Sequence, residues 1–150
     1  MKINVEIVNK INEEQVLIQC YEVTQQIGEI INFVKSREST LTAYYDSQIH
    51  YIYLQDIYYI EAVDNKIFAY MESQVYELKI KLYEFEELYG EREFFRCSKS
   101  VIVNLLKIEF MKPALNGRFM ATLNNNEKVI ISRQYVTELK KRLKGGYYEF

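Results

Sequence analysis

Apolar and polar positions alternate along most of this chain with a period of two, and the period lengthens to that of a helix in three places. Ile3, Val5 and Ile7 alternate with Asn4 and Glu6, which is the pattern of a half-buried strand. Residues 16–20 (VLIQC) form a second short apolar run that reads as strand. Thr24 is suited to cap a helix, and Ile27, Ile30, Ile31 and Val34 follow at helical spacing, so that one face is apolar. The polar cluster at residues 35–40 (KSREST) marks a boundary, which predicts a small amino-terminal β-β-α unit over residues 1–40.

Beyond it come short pieces rich in Tyr and Ile, at residues 41–45, 49–54, 57–63, 67–71 and 75–78, broken by Asp, Ser, Asn and Lys. A helix is predicted over residues 79–89, with Leu82, Phe85 and Leu88 facing inward and Gly90 as its stop. Residues 94–97 read as strand, residues 98–100 as a polar knuckle and residues 101–103 as strand again. Two further strands, 108–115 and 119–123, flank Asn116-Gly117, a strong signal for a tight hairpin. After a turn at residues 124–126 and a strand at 129–131, Ser132 opens a last helix. Its Val136, Leu139 and Leu143 face inward, and Gly145-Gly146 closes it. The class is α+β, mostly antiparallel β.

A chain of 150 residues suits one domain, and 49% hydrophobic residues with a single proline exclude a disordered chain. Cys20 and Cys97 each lie in an apolar stretch, so two buried free thiols in a reducing compartment are expected. There is no apolar run of the roughly 18 residues a membrane span needs and no signal-peptide core, so a cytoplasmic location is expected. The near-neutral charge of -2 changes meaning once it is divided. Residues 1–91 hold 7 Lys/Arg against 16 Asp/Glu, whereas residues 92–150 hold 12 against 5. An acidic portion is therefore joined to a basic one that seeks a polyanion. The fourteen tyrosines follow from β-propensity and lie mostly in the acidic portion, away from any cationic groove for stacking bases.

The chemistry concentrates in residues 94–108 (FFRCSKSVIVNLLKI) and 131–135 (ISRQY). Arg96, Lys99 and Arg133 stand there beside the short hydroxyls of Ser98, Ser100 and Ser132, a combination that grips a phosphate backbone at two ranges. Arg96 either reaches a phosphate or pairs with Glu93. Arg118, just after the Asn-Gly turn, is a candidate backbone contact. Asn104 lies between apolar residues and is expected to satisfy loop backbone groups. His50, the only histidine, has no partner at a catalytic spacing and reads as structural. There is no HExxH, no nucleophile elbow, no phosphate-cradling GxxxxGK[ST] and no metal-ligand spacing. Neither enzyme chemistry, a metal, a cofactor nor a small-molecule substrate is expected.

Over residues 41–144 the chain resembles the LytTR family of bacterial DNA-binding domains. IYYIEAVDNKIFAY at residues 57–70, the helix around Leu82, FFRCSKSVIVNLLKI, the Asn-Gly hairpin and ISRQY followed by a helix occur in the family's order. The resemblance implies an elongated stack of small antiparallel sheets over residues 41–147 that presents loops, not a recognition helix, to successive grooves of a duplex. It carries base contacts to Asn65 and Lys66 in the loop after the IE motif, to Ser98-Lys99-Ser100 in the knuckle, and to Arg133 after Ser132. Lys66, Lys99 and Arg133 suit guanine, and the serines suit phosphate oxygens. Ser98 stands where many members carry histidine, and the first loop holds the acid Asp64. The first 40 residues are too few for a receiver domain. These features lead to the expectation of a stand-alone transcriptional regulator, a homodimer on repeated half-sites of double-stranded DNA, with the helix after Thr24 as a dimer or regulatory surface. The alternatives are a module that docks a membrane-protein inhibitor, as implied by some stand-alone members, or a small-ligand sensor.

Overall fold

The computed structural model describes residues 1–12, 14–37 and 39–145. A helix, α1 (Gln25–Arg37), precedes five strands joined by short connections: β1 (Thr40–Tyr45), β2 (Gln48–Tyr53), β3 (Tyr59–Val63), β4 (Lys66–Tyr70) and β5 (Val75–Leu78). Helix α2 (Leu82–Tyr89) follows, then β6 (Phe94–Arg96), β7 (Val101–Asn104), β8 (Ile108–Pro113), β9 (Phe119–Leu123), β10 (Lys128–Ile131) and α3 (Arg133–Gly145). Strands β1–β7 form one sheet in the order β2-β1-β5-β4-β3-β7-β6, and β10-β9-β8 form a second. The ladders are antiparallel.

Turn chemistry fixes the registers. Two-residue hairpin turns need positive φ at both central positions if they are to match the twist of the flanking strands. That requirement is met by Asp46-Ser47 (φ 50° and 61°) and Asp64-Asn65 (50° and 64°); the loop Leu115–Gly117 is one residue longer and also sets Asn116-Gly117 at positive φ (62° and 74°). Each turn sets the pairing beside it: Tyr45 opposite Gln48, Val63 opposite Lys66, and the Ala114 N–H on the Arg118 carbonyl at 2.8 Å.

Beside β3, the β6–β7 pair is covered on both faces, and its side chains divide accordingly. Phe94 and Ile102 enter a core with Ile57, Ile60, Ile67, Leu78 and the α2 residues Leu82 and Phe85. Their neighbours Phe95 and Val103 enter a second core with Ala121, Leu123, Val129 and Ile131 of the small sheet and Val136, Leu139 and Leu143 of α3. Strict alternation over adjacent residues thus places this pair between two hydrophobic layers. The amide of Asn104, 1% exposed, donates to the Ile57 carbonyl at 2.8 Å while its oxygen accepts from the Leu106 N–H at 3.0 Å. That agrees with the structural role expected of it. His50 packs edge-on against Tyr45 and Tyr76, with centroids at 6.4 and 5.2 Å.

The expected α+β, mostly antiparallel class is found, its sheets one of seven and one of three strands because β3 pairs with β7 as well as with β4. Several other expectations are corrected. No strand forms at residues 3–7 or 16–20, whose backbones lie without a partner strand. The β-β part of the predicted β-β-α unit is therefore absent, although α1 is present and the Thr24 hydroxyl accepts from the Ile27 N–H at 3.4 Å. Helix α1 runs to Arg37 and takes in part of the polar cluster read as a boundary. Leu88 is 64% exposed, because Phe85 and Leu82 already fill the α2 face that meets the sheet. Cys20 is exposed, as are its neighbours Leu17 and Gln19, whereas Cys97 is buried as expected. Gly90 does end α2, but with φ -69°. Its requirement is room: an added Cβ would lie 2.4 Å from the Glu86 carbonyl oxygen. Gly146, expected to close α3, lies outside the described residues.

Candidate nucleic-acid interface

The knuckle between β6 and β7 is built from backbone bonds to its neighbours. Within it, the Cys97 and Ser98 N–H groups point to the Val101 carbonyl at 3.0 and 3.3 Å, and the Ser100 N–H meets the Ser98 hydroxyl at 3.3 Å. On one side, the Ser100 carbonyl accepts from the Ala62 N–H at 2.8 Å, which ties the knuckle to the end of β3, two residues before Asp64-Asn65. On the other side, the Cys97 carbonyl accepts from the Ser132 N–H at 2.8 Å. Ser132 immediately precedes Arg133, the first residue of α3. The knuckle that carries Lys99 and the start of α3 that carries Arg133 are therefore neighbours, joined by this hydrogen bond.

The Asn116-Gly117 turn comes to the same place. A Cβ on Gly117 would lie 3.0 Å from Cδ and 3.1 Å from Cγ of Arg133. The turn thus lies against the aliphatic stem of Arg133, and glycine answers two needs there, the positive φ and the close approach. Arg118, just after the turn, is exposed and donates through Nε to the Leu115 carbonyl at 3.1 Å. Lys99 and Arg133 are exposed, and neither is in an ion pair among the described residues. Ser98, Ser100 and Ser132 are half-buried at the base of the same group. Asn65 and Lys66 are exposed at the β3–β4 turn, which joins the group through the bond between Ala62 and Ser100.

Arg96 turns out differently. Its Nε donates to the Ser98 carbonyl at 2.6 Å, one terminal nitrogen bonds the Lys99 carbonyl, and the other meets Glu86 of α2 at 3.2 Å. The partner is Glu86 and not Glu93, because β6 alternation directs Arg96 away from the position of its near neighbour. This guanidinium brackets the knuckle from behind, so its donors are engaged inside the molecule. Beneath it, burial pushes the Cys97 thiol up to about 12, which makes it a packing group and not a nucleophile.

Two features of this region were missed in the sequence. Arg142, within the run Lys140-Lys141-Arg142 that reads as a solvated face, donates to the carbonyls of Gly90 at 2.8 Å and Phe94 at 2.7 Å, and also bonds the Arg92 carbonyl. It fixes the α2–β6 connection to α3. The available signal was its position three residues after the inward-facing Leu139 and next to Leu143, at the edge of the buried stripe. The second is a tyrosine pair. Tyr59 and Tyr70 stack at 4.3 Å, and the Tyr70 hydroxyl donates to Glu61 at 3.1 Å. Burial first, then Glu127, raises the Tyr59 pKa; burial and Glu61 raise that of Tyr70. Tyr59, on the large sheet, also packs against the core that holds the small sheet.

Comparison with known proteins agrees with this architecture. The model of the LytTr DNA-binding domain matches residues 47–144. An uncharacterized HTH-type transcriptional regulator of Staphylococcus aureus (strain MSSA476) is 32% identical over 145 residues, covering 95% of this chain and 98% of its own length. One from the bovine strain RF122 / ET3-1 is 31% identical with the same coverage. A solved LytTr DNA-binding domain from Bacillus cereus superposes with a TM-score of 0.66 at 29% identity, covering 69% of this chain and 94% of that one. Despite the name given to the staphylococcal relatives, no two helices among the described residues of this chain are joined by a short turn; strands separate each from the next. With its match over residues 47–144 and its seven- and three-stranded antiparallel sheets, the chain belongs to the LytTr DNA-binding domain family.

Proposed function

We propose that this protein is a sequence-specific, double-stranded DNA-binding transcriptional regulator that acts as a dimer on repeated half-sites. The observation that supports it most is the hydrogen bond from Ser132 to Cys97, which holds two unpaired, exposed cations, Lys99 and Arg133, on neighbouring loops. In this reading Lys99 donates to a guanine edge and Arg133 does so with two bonds. Ser98, Ser100 and Ser132 take phosphate oxygens, aided by the amino terminus of α3. Arg118 contacts the backbone, and Asn65 and Lys66 enter an adjacent groove. Arg96 acts as a positioning residue that holds the carbonyls of Ser98 and Lys99, in place of the phosphate contact its charge suggested.

The test is binding of the full chain to a duplex from the region upstream of its own coding sequence, against mixed-sequence duplex, over a series of salt concentrations. About five neutralised phosphates per protomer give a log–log slope of about -4 to -5. Lys99→Ala and Arg133→Ala are each expected to cost about 1–3 kcal/mol on the upstream duplex and much less on mixed sequence. Equal losses on both duplexes would overturn the base contacts. Among the described residues, a cavity of about 210 Å³ lies between Asp56, Tyr58, Met71, Glu72, Gln74 and Lys107. It falls below the roughly 300–1,000 Å³ of ligand pockets, so a small-ligand sensor is the weaker reading.

A further inference from the structure

The segment before α1 presents an unanswered demand. Ile3, Val5, Ile7 and Ile11 are 85, 88, 96 and 88% exposed, and Val16, Leu17 and Val23 are 65, 74 and 56% exposed. Solvated tails are poor in such residues, and an exposed apolar array of this extent marks an interface. The backbone is just as bare. Beyond the short turn in which the Asn12 N–H meets the Asn9 carbonyl at 2.9 Å, residues 1–12 and 14–23 belong to no strand.

We propose that this arm is an intermolecular β-element whose occupant is the same arm of a second copy. The inference deepens the dimer reading above by naming its surface. Three observations favour this occupant. First, the arm is self-complementary. Antiparallel pairing of two copies across Asn4 sets Lys2 opposite Glu6, twice, on one face, and Ile3 opposite Val5 on the other. Second, its length matches the roughly 20–30 residues that each side of a stable interface contributes. Third, α1 begins directly after the arm and leaves Ile30, Ile31 and Val34 only half-buried, an apolar stripe that continues the surface to be covered. A two-fold pairing of arms makes each off-axis residue contact twice, and the residues it uses do not include Lys99 or Arg133.

The decisive measurement is the mass of the full chain by light scattering after gel filtration, without DNA. The wild type is expected at twice its 18.0 kDa and Val5→Asp and Ile7→Asp at once that mass, with secondary structure unchanged, since both positions are already exposed. Cys20 supplies an independent check. It is exposed while Cys97 is buried, so a thiol-to-thiol crosslinker is expected to join two wild-type chains through Cys20 and to lose that product in Val5→Asp. A wild type of single mass, or aspartate variants that keep the doubled mass, overturns the arm. Because no DNA is present, that result would leave the base contacts standing, just as their failure would leave the arm standing.

Discussion

Residues 3–7 and 101–104 both read as strand from their apolar residues, and the structure treats them oppositely. In Val101–Asn104, Ile102 and Val103 are wholly buried on opposite faces of a strand paired on both edges. In the amino-terminal arm, Val5 and Ile7 stand 88 and 96% exposed on a backbone that pairs with nothing. Alternation states what a segment needs. Whether the need is met depends on a neighbouring edge and on layers above and below. β7 finds β3, β6, α2 and α3 within its own chain; the arm finds none of these.

The contrast is sharpest in the effect of removing a side chain. Ile102→Ala is expected to destabilise the fold by about 2–5 kcal/mol in chemical denaturation, the usual range for a deleted, fully buried isoleucine. Ile7→Ala is expected to change the denaturation of dilute protein by no more than about 0.5 kcal/mol. If the arm pairs between copies, a larger effect emerges as protein concentration rises. A cost for Ile7→Ala that is independent of concentration would place that side chain in an intramolecular core and erase the distinction.

Next in size is Asn104. Asn104, at the end of β7, answers two backbone groups outside the strand, the Ile57 carbonyl and the Leu106 N–H. Asn104→Ala leaves both unmet and is expected to cost about 1–3 kcal/mol. Asn4→Ala, in the arm, is expected to leave dilute-protein stability unchanged by the same measurement.

The smallest effect concerns a charge. Glu93 is wholly buried beside Arg92, whose Nε lies 3.6 Å from its carboxylate, with Arg142 also near. Burial outweighs its own backbone hydrogen bond and the two arginines and raises its pKa above the ordinary 4.5. A carboxyl whose folded pKa is raised binds more protons folded than unfolded. Its contribution is therefore most favourable below about pH 4.5 and is lost as pH rises through the folded value. Relative to wild type, Glu93→Gln is expected to show a shallower loss of stability across that window, read from denaturation midpoints between pH 4 and 8.

Much of the core was legible, because its rules are local. Asp-Asn and Asn-Gly pairs tolerate positive φ, so the turns at 64–65 and 116–117 and the strands beside them could be placed. Val136, Leu139 and Leu143 mark the buried face of α3 by spacing alone. The knuckle was legible as a cluster of cations and hydroxyls, and the ordered motifs led to the family. What the residues could not disclose is which partner each would find. Arg96 looks like a cation for a polyanion and Arg142 like part of a solvated face, yet each closes on carbonyls brought near by packing. Leu88 looks inward-facing but meets no sheet.

The sequence by itself determined the elements, the turns and the chemical character of the loops, because dihedral preference and side-chain period act between residues a few positions apart. Only the tertiary structure decided that the knuckle of Lys99 and the helix start of Arg133 are neighbours, that Gly117 makes room for Arg133, and that residues 3–7 stay unpaired. Those outcomes depend on edges and surfaces brought together from distant parts of the chain. For the arm, we infer, the missing edge lies in another copy.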